Sequence, residues 1–124
     1  MKLRFFIIPI LAMLVLLFHA GCKQQETGNA PVPAAVAPKV MTDAFQGASS
    51  ALQQGASAIA QATRRHDPEA VVALQQLSQQ AELTPAQRLA IGRCLPAALS
   101  SAREAAATGN RRAEQILKQY NASK

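Results

Sequence analysis

The sequence predicts an all-α fold, a small antiparallel bundle of three to four helices over residues 41–124, and three observations carry that prediction. After position 40 the chain is rich in alanine, glutamine and leucine, with few β-branched or aromatic residues and no tryptophan. Ala, Gln, Leu, Arg and Glu are the residues that lose least on entering a helix. Apolar residues recur at spacings of three and four, the period of one helix face. Thr84 and Gln87 stand at capping-box spacing, with Pro85 at the first helical position.

Taken in order, Phe45, Ala48, Leu52, Gly55 or Ala56, Ile59 and Ala62 trace one stripe of a first helix that begins near Met41. Thr42 is its expected N-cap, and Asp43 sits in the first turn at the positive end of the dipole. Arg64 and Arg65 fall in the last turn, where positive charge is favoured. Asp67, Pro68 and Glu69 open a second helix as N-cap, first helical residue and first-turn acid, and Ala70, Val71, Leu74, Leu77 and Ala81 form its apolar face. The third helix, from Thr84, carries Leu89, Ile91, Leu95, Ala98, Leu99 and Ala102. Pro96 lies inside it, lacks an N–H and presses its ring on the carbonyl of Gly92, so a kink or break is expected there. Gly109-Asn110 is a stop signal, and a last short helix places Ala113, Ile116, Leu117 and Tyr120 on one side. Short connections imply antiparallel neighbours. Large apolar side chains are few, so stability is expected to be marginal unless dimerisation or membrane proximity adds to it.

The residues before 41 read differently. Lys2 and Arg4 precede an apolar run from Phe5 to Phe18 that only Pro9 interrupts, followed by His19-Ala20-Gly21-Cys22. A charged start, an apolar stretch and small residues at its end define a secretory signal, here over 1–21. As a helix the run spans about 21 Å at 1.5 Å per residue, short for a hydrocarbon core of about 30 Å. Residues 22–40 contain Pro31, Pro33 and Pro38. Proline fixes its own backbone and disfavours helix in the residue before it, so this stretch is expected to be a disordered, extended tether.

The segment Ala20-Gly21-Cys22 at the boundary of the apolar run resembles the lipobox of bacterial lipoproteins, although His19 stands where that pattern usually has an apolar residue. The resemblance implies that Cys22 is diacylated, that the leader is cut before it and that the new amine is often acylated as well. Two or more acyl chains hold a protein stably on a membrane. Lys23, in place of an aspartate, implies the outer membrane facing the periplasm where a cell has two membranes. The helix start Leu83-Thr84-Pro85-Ala86-Gln87 also resembles that of small Ala/Gln-rich helical lipoproteins, a likeness that implies no activity.

Little else points to chemistry. The formal charge of +6 falls to about +4 without Lys2 and Arg4. His66 reads as a loop residue, and Cys94, on an apolar helical face, as a small buried hydrophobe. No motif supports a Cys94–His66 dyad. Asp43, Asp67, Glu69, Glu82, Glu104 and Glu114 fall at caps or helix surfaces and show no pairing suited to acid–base work. Metal-ligand spacings and Gly-rich phosphate loops are absent from the sequence. No catalytic activity, cofactor, metal or small-molecule substrate is therefore expected. Nucleic acid is a poor partner for an exported domain with no aromatics interleaved among its cations.

Arg111 and Arg112 break the pattern, because they lie in the first turn of the last helix, where the dipole disfavours cations. With Lys118, and with Arg103 and Lys124 nearby in sequence, they form a candidate patch for an anion. Three functional readings follow. The first is an envelope lipoprotein whose helical domain binds a partner helix or a second copy through its apolar stripes. The second is an anion-binding module that docks Arg111, Arg112 and Lys118 on lipid headgroups or cell-wall polymer. The third is a thiol-dependent enzyme using Cys94, which requires that thiol to be exposed and acidic.

Overall fold

The computed structural model describes residues 29–124; the expected leader, Cys22 and the first part of the expected tether lie outside the described residues. The described chain is all-helical and has no strand. It contains five helices: α1 (Ala37–Ala44), α2 (Ser50–Arg64), α3 (Glu69–Ser78), α4 (Pro85–Ala107) and α5 (Arg111–Ala122). Helix α2 packs on α1 and α3, and α4 packs on α1, α3 and α5, while α2 and α4 scarcely touch. Helices α1 and α3 therefore bridge the two longest helices and close a ring around the core. Met41, Phe45, Ile59, Val71, Leu74 and Ile116 are its largest fully buried side chains, each contributing about 1.5–3 kcal/mol of burial. Buried alanines, among them Ala37, Ala56, Ala70, Ala98 and Ala102, let the helices approach closely between them.

The packed domain starts earlier than the proline pattern predicts. Val32, Ala37 and Pro38 are buried, and the Val32 N–H donates to the carbonyl of Arg93 on α4 at 3.0 Å. Arg93 answers with its side chain, whose Nε donates to the Ala30 carbonyl at 2.8 Å. Residues 30–36 are thus a strap fastened across α4, and Pro38 falls in the first turn of α1, where a missing N–H costs nothing. The first expected helix is consequently two. Thr42 is not an N-cap but an interior residue whose hydroxyl donates back to the carbonyls of Pro38 and Lys39. Asp43 pairs with Lys39 one turn earlier. The chain turns after Phe45, with Gly47 at φ +82°, a backbone region open to glycine at no steric cost. Phe45 and Leu52 remain in one core across the turn.

Other expectations need smaller corrections. Helix α3 ends at Ser78, leaving Ala81 exposed. Helix α4 runs unbroken through Pro96. Gly92 and Pro96 are both exposed, so water can take the carbonyl that proline leaves without a donor, while Ile91, Cys94, Ala98 and Ala102 bury the opposite face along both halves. The expected face holds at Ile91, Ala98, Leu99 and Ala102, with Leu95 partly buried and Leu89 left 38% exposed. The capping box is present in both directions: Gln87 N–H donates to Thr84 Oγ1 and Thr84 N–H to Gln87 Oε1. Asp67 serves the start of α3, its Oδ1 accepting from the Glu69 N–H at 3.0 Å.

Two helices end in the same way with different residues. At the end of α4, Asn110 N–H donates to Ala105 O and Gly109 N–H to Ala106 O, the paired bonds of a Schellman motif. Gly109 takes the left-handed position at φ +90°. At the end of α2 the equivalent bonds run from Asp67 to Ala62 and from His66 to Thr63. Here the left-handed residue is His66, at φ 52°, the one non-glycine residue with positive φ among the described residues. A side chain in that region costs about 1–2 kcal/mol, part of which glycine forfeits through its greater freedom when unfolded. His66→Gly is therefore expected to stabilise the domain by about 0.5–1 kcal/mol, or roughly 2–8 °C in Tm. A thermal melt giving an unchanged or lower Tm would show that the long contact of the His66 ring with Ser101 Oγ, 3.5 Å, outweighs the backbone strain.

Candidate functional site

The residues that looked most chemical in the sequence are largely committed to structure. Asn110 caps α5, its Oδ1 accepting from the Ala113 N–H at 3.1 Å. Arg112 then reaches across to α3, where Nε and Nη2 donate to the two carboxylate oxygens of Glu69 at 2.5 and 3.2 Å. A bidentate acid offsets the unfavourable position of this cation at a helix start. The hydrogen bond from Arg112 holds the Glu69 carboxyl below its ordinary value; partial desolvation opposes it and the guanidinium charge adds to it. Arg111 and Lys118, seven residues apart on α5, are exposed and have no ion-pair partner among the described residues. Of the three residues of the expected anion patch, Arg112 is thus engaged by Glu69 of α3.

Cys94 is 2% exposed, its Sγ 3.6 Å from the carbonyl of Ala37 at the start of α1. Burial pushes the thiol up to about 11, with the nearby charge of Arg93 pulling the other way. It is protonated at neutral pH and covered, the opposite of what thiol chemistry requires. His66 approaches Ser101, which lies seven residues beyond Cys94 on α4, about 10 Å at 1.5 Å per residue. The sequence pair Cys94 and His66 is not brought together. Among the described residues no three His, Cys, Asp or Glu side chains gather as metal ligands, and no helix is long and apolar enough to cross a membrane.

Most residues of the apolar stripes are buried in the core. Among the described residues the only exposed large hydrophobics are Val36, at 45%, and Leu89. Val36 precedes α1 and neighbours a surface groove of about 330 Å³. One wall of that groove is Ala34, Ala35, Pro38 and Lys39; the other is Thr63, Arg64 and His66 at the end of α2. Arg65, the next residue after Arg64, is exposed. Neither arginine has an acidic partner among the described residues, and Lys39 has Asp43. Sequence reasoning missed this site because one wall lay in the expected tether. The only signal for it was the run Arg64-Arg65-His66, which the helix dipole alone suffices to explain.

Two measurements check these assignments. The Cys94 thiol is expected to react with a thiol reagent roughly 100-fold more slowly at neutral pH than an ordinary cysteine, from the thiolate fraction alone, and to reach the ordinary rate in denaturant; fast native labelling would mean that the cover over Cys94 opens readily. Glu69 has a folded pKa below its unfolded one, so its contribution to stability is present at neutral pH and lost as the pH falls through the folded value. The urea midpoints of wild type and Glu69→Gln should differ at neutral pH and converge on acidification below the ordinary carboxylate value of about 4. A gap independent of pH would exclude the ion pair as its cause.

No family model, no curated protein and no solved structure matches the chain.

Proposed function

We propose that the protein is a membrane-anchored envelope lipoprotein, held by acyl chains on Cys22, with a small non-catalytic helical domain that serves interaction or structure. The observation that carries this reading is Ala20-Gly21-Cys22, placed where a charged start and an apolar run end, in the pattern of a lipoprotein signal. The position of the strap supports it. Seven residues, 23–29, separate Cys22 from Ala30, whose carbonyl accepts from Arg93 on α4. The buried, protonated Cys94 weighs against thiol chemistry. The cell envelope, and the outer membrane where there are two, follows from the leader and from Lys23. The alternative, anion docking through Arg111 and Arg112, is weakened by the commitment of Arg112 to Glu69.

The deciding experiment is metabolic labelling with a radioactive or alkyne-bearing fatty acid in cells making the wild type or Cys22→Ser. Label is expected on the wild type and absent from the variant, which should also run as the uncleaved precursor. Equal labelling of both, or of neither, would overturn the anchor.

A further inference from the structure

The strap lies on the domain with little burial to hold it there. Between residues 29 and 36 Val32 is the one buried side chain, and Asn29, Pro31, Pro33, Ala35 and Val36 are exposed. The bonds at Ala30 and Val32 both go to Arg93, so a single residue of α4 fixes both. One buried valine sets little against the backbone freedom that the segment regains on leaving. Pro31 and Pro33 have little of that freedom to lose, which favours reseating in the same place.

The start of α1 depends on this strap. Helix α1 has 8 residues, fewer than the ~12–15 that an isolated helix needs. Its N-cap, Val36, makes no side-chain cap bond, and no acid stands in its first turn. The Val36 and Ala37 N–H groups donate instead to the carbonyl of Pro33 in the strap, both at 3.0 Å. Met41 and Phe45 anchor the far end of the helix in the core, while the carbonyl of Ala37 lies 3.6 Å from Cys94 Sγ. Loss of the strap therefore loosens the first turn of α1 and uncovers Cys94.

We propose that residues 30–38 form a gate on the flank of α4, a unit that opens and reseats while Met41, Phe45 and helices α2 to α5 stay packed. Closed, the gate completes the core with Val32 and Ala37; open, it bares the space those side chains fill and the thiol beside them. Its contacts run in step along α4: Ala30 and Val32 meet Arg93, and Ala37 meets the next residue, Cys94. One continuous segment thus covers one short stretch of one helix, the arrangement that lets a part of a fold open below the cost of unfolding the whole. Cys94 is the natural reporter. Its slow reaction with a thiol reagent runs through this opening and not through unfolding of the domain.

The test labels the full chain with a thiol reagent at urea concentrations below the unfolding midpoint. Label is read by mass spectrometry in the peptide that contains Cys94, so that Cys22 does not contribute. The dependence of a rate on urea scales with the surface exposed in the step that limits it. The logarithm of the Cys94 labelling rate is expected to rise with urea at no more than about a quarter of the slope for global unfolding. A slope equal to the global one would mean that Cys94 is reached only by unfolding, and would overturn the gate. Two variants place the opening in the chain. Val32→Ala, which removes two methyl groups from the seat of the strap, should speed labelling in the absence of urea roughly tenfold. Leu77→Ala, in the buried face of α3, should lower the urea midpoint and leave the labelling rate in water unchanged. A Val32→Ala rate equal to wild type would put the opening elsewhere, and a Leu77→Ala rate raised in proportion to its lost stability would again mean global unfolding; either overturns the proposal. The urea slope of the wild type needs no variant, so it decides the matter if Leu77→Ala does not fold.

Discussion

Everything in this fold depends on α1 being wedged between two helices that otherwise scarcely touch. Met41 and Phe45 are fully buried, and α1 packs on both α2 and α4. Only α3 provides a second bridge of that kind. Met41 and Phe45 are the two largest of the fully buried side chains, so α1 supplies a large share of the burial that α2 can reach. The wedge is held in turn by the strap, through Arg93, Ala30 and Val32, and by the packing of Cys94 beneath Ala37. The segment that resembles a spacer is therefore the piece that completes the core.

The same economy shows in the polar residues. Glu69 is a first-turn acid for α3 and the partner of a first-turn arginine on α5, so one carboxylate answers both a helix dipole and an ion pair. Cys94 occupies a small-residue position on the buried face of α4 as alanines do elsewhere. Groups that read as chemical in isolation are absorbed into packing, and the charged side chains left unpaired on the surface among the described residues are of both signs, Arg64 and Arg111 as well as Glu82 and Glu114.

Legibility followed locality. Thr84, Pro85 and Gln87 announced a helix start because the capping box is closed within four residues and needs no distant partner. The faces of α3 and α5 were readable for a similar reason, since Leu74, Leu77 and Ile116 keep helical spacing. Helix α1 was hidden because prolines at 31, 33 and 38 have the same local preferences in a spacer and in a strap, and only the distant Arg93 distinguishes them. The turn after Phe45 escaped because five non-helical residues happen to preserve the three-and-four rhythm from Phe45 to Leu52. Leu89 was misassigned because its neighbour Ala90 takes the buried position of that turn, and a small residue gives the weaker signal. The groove beside Arg64 was illegible until its other wall was known to fold.

The fastening of the strap has a mechanical consequence. Any pull transmitted through the residues before Ala30 enters the domain at the middle of α4, across its flank, and not along the axis of a helix. Among the described residues such a load meets two hydrogen bonds to Arg93 and one buried valine before it reaches α1, so the strap would peel before the helices themselves carried much tension. Beneath it, Cys94 and the α1 wedge are the next parts to feel the force. The domain thus yields first at its own edge, in a step that can reverse, before the ring of helices is asked to open.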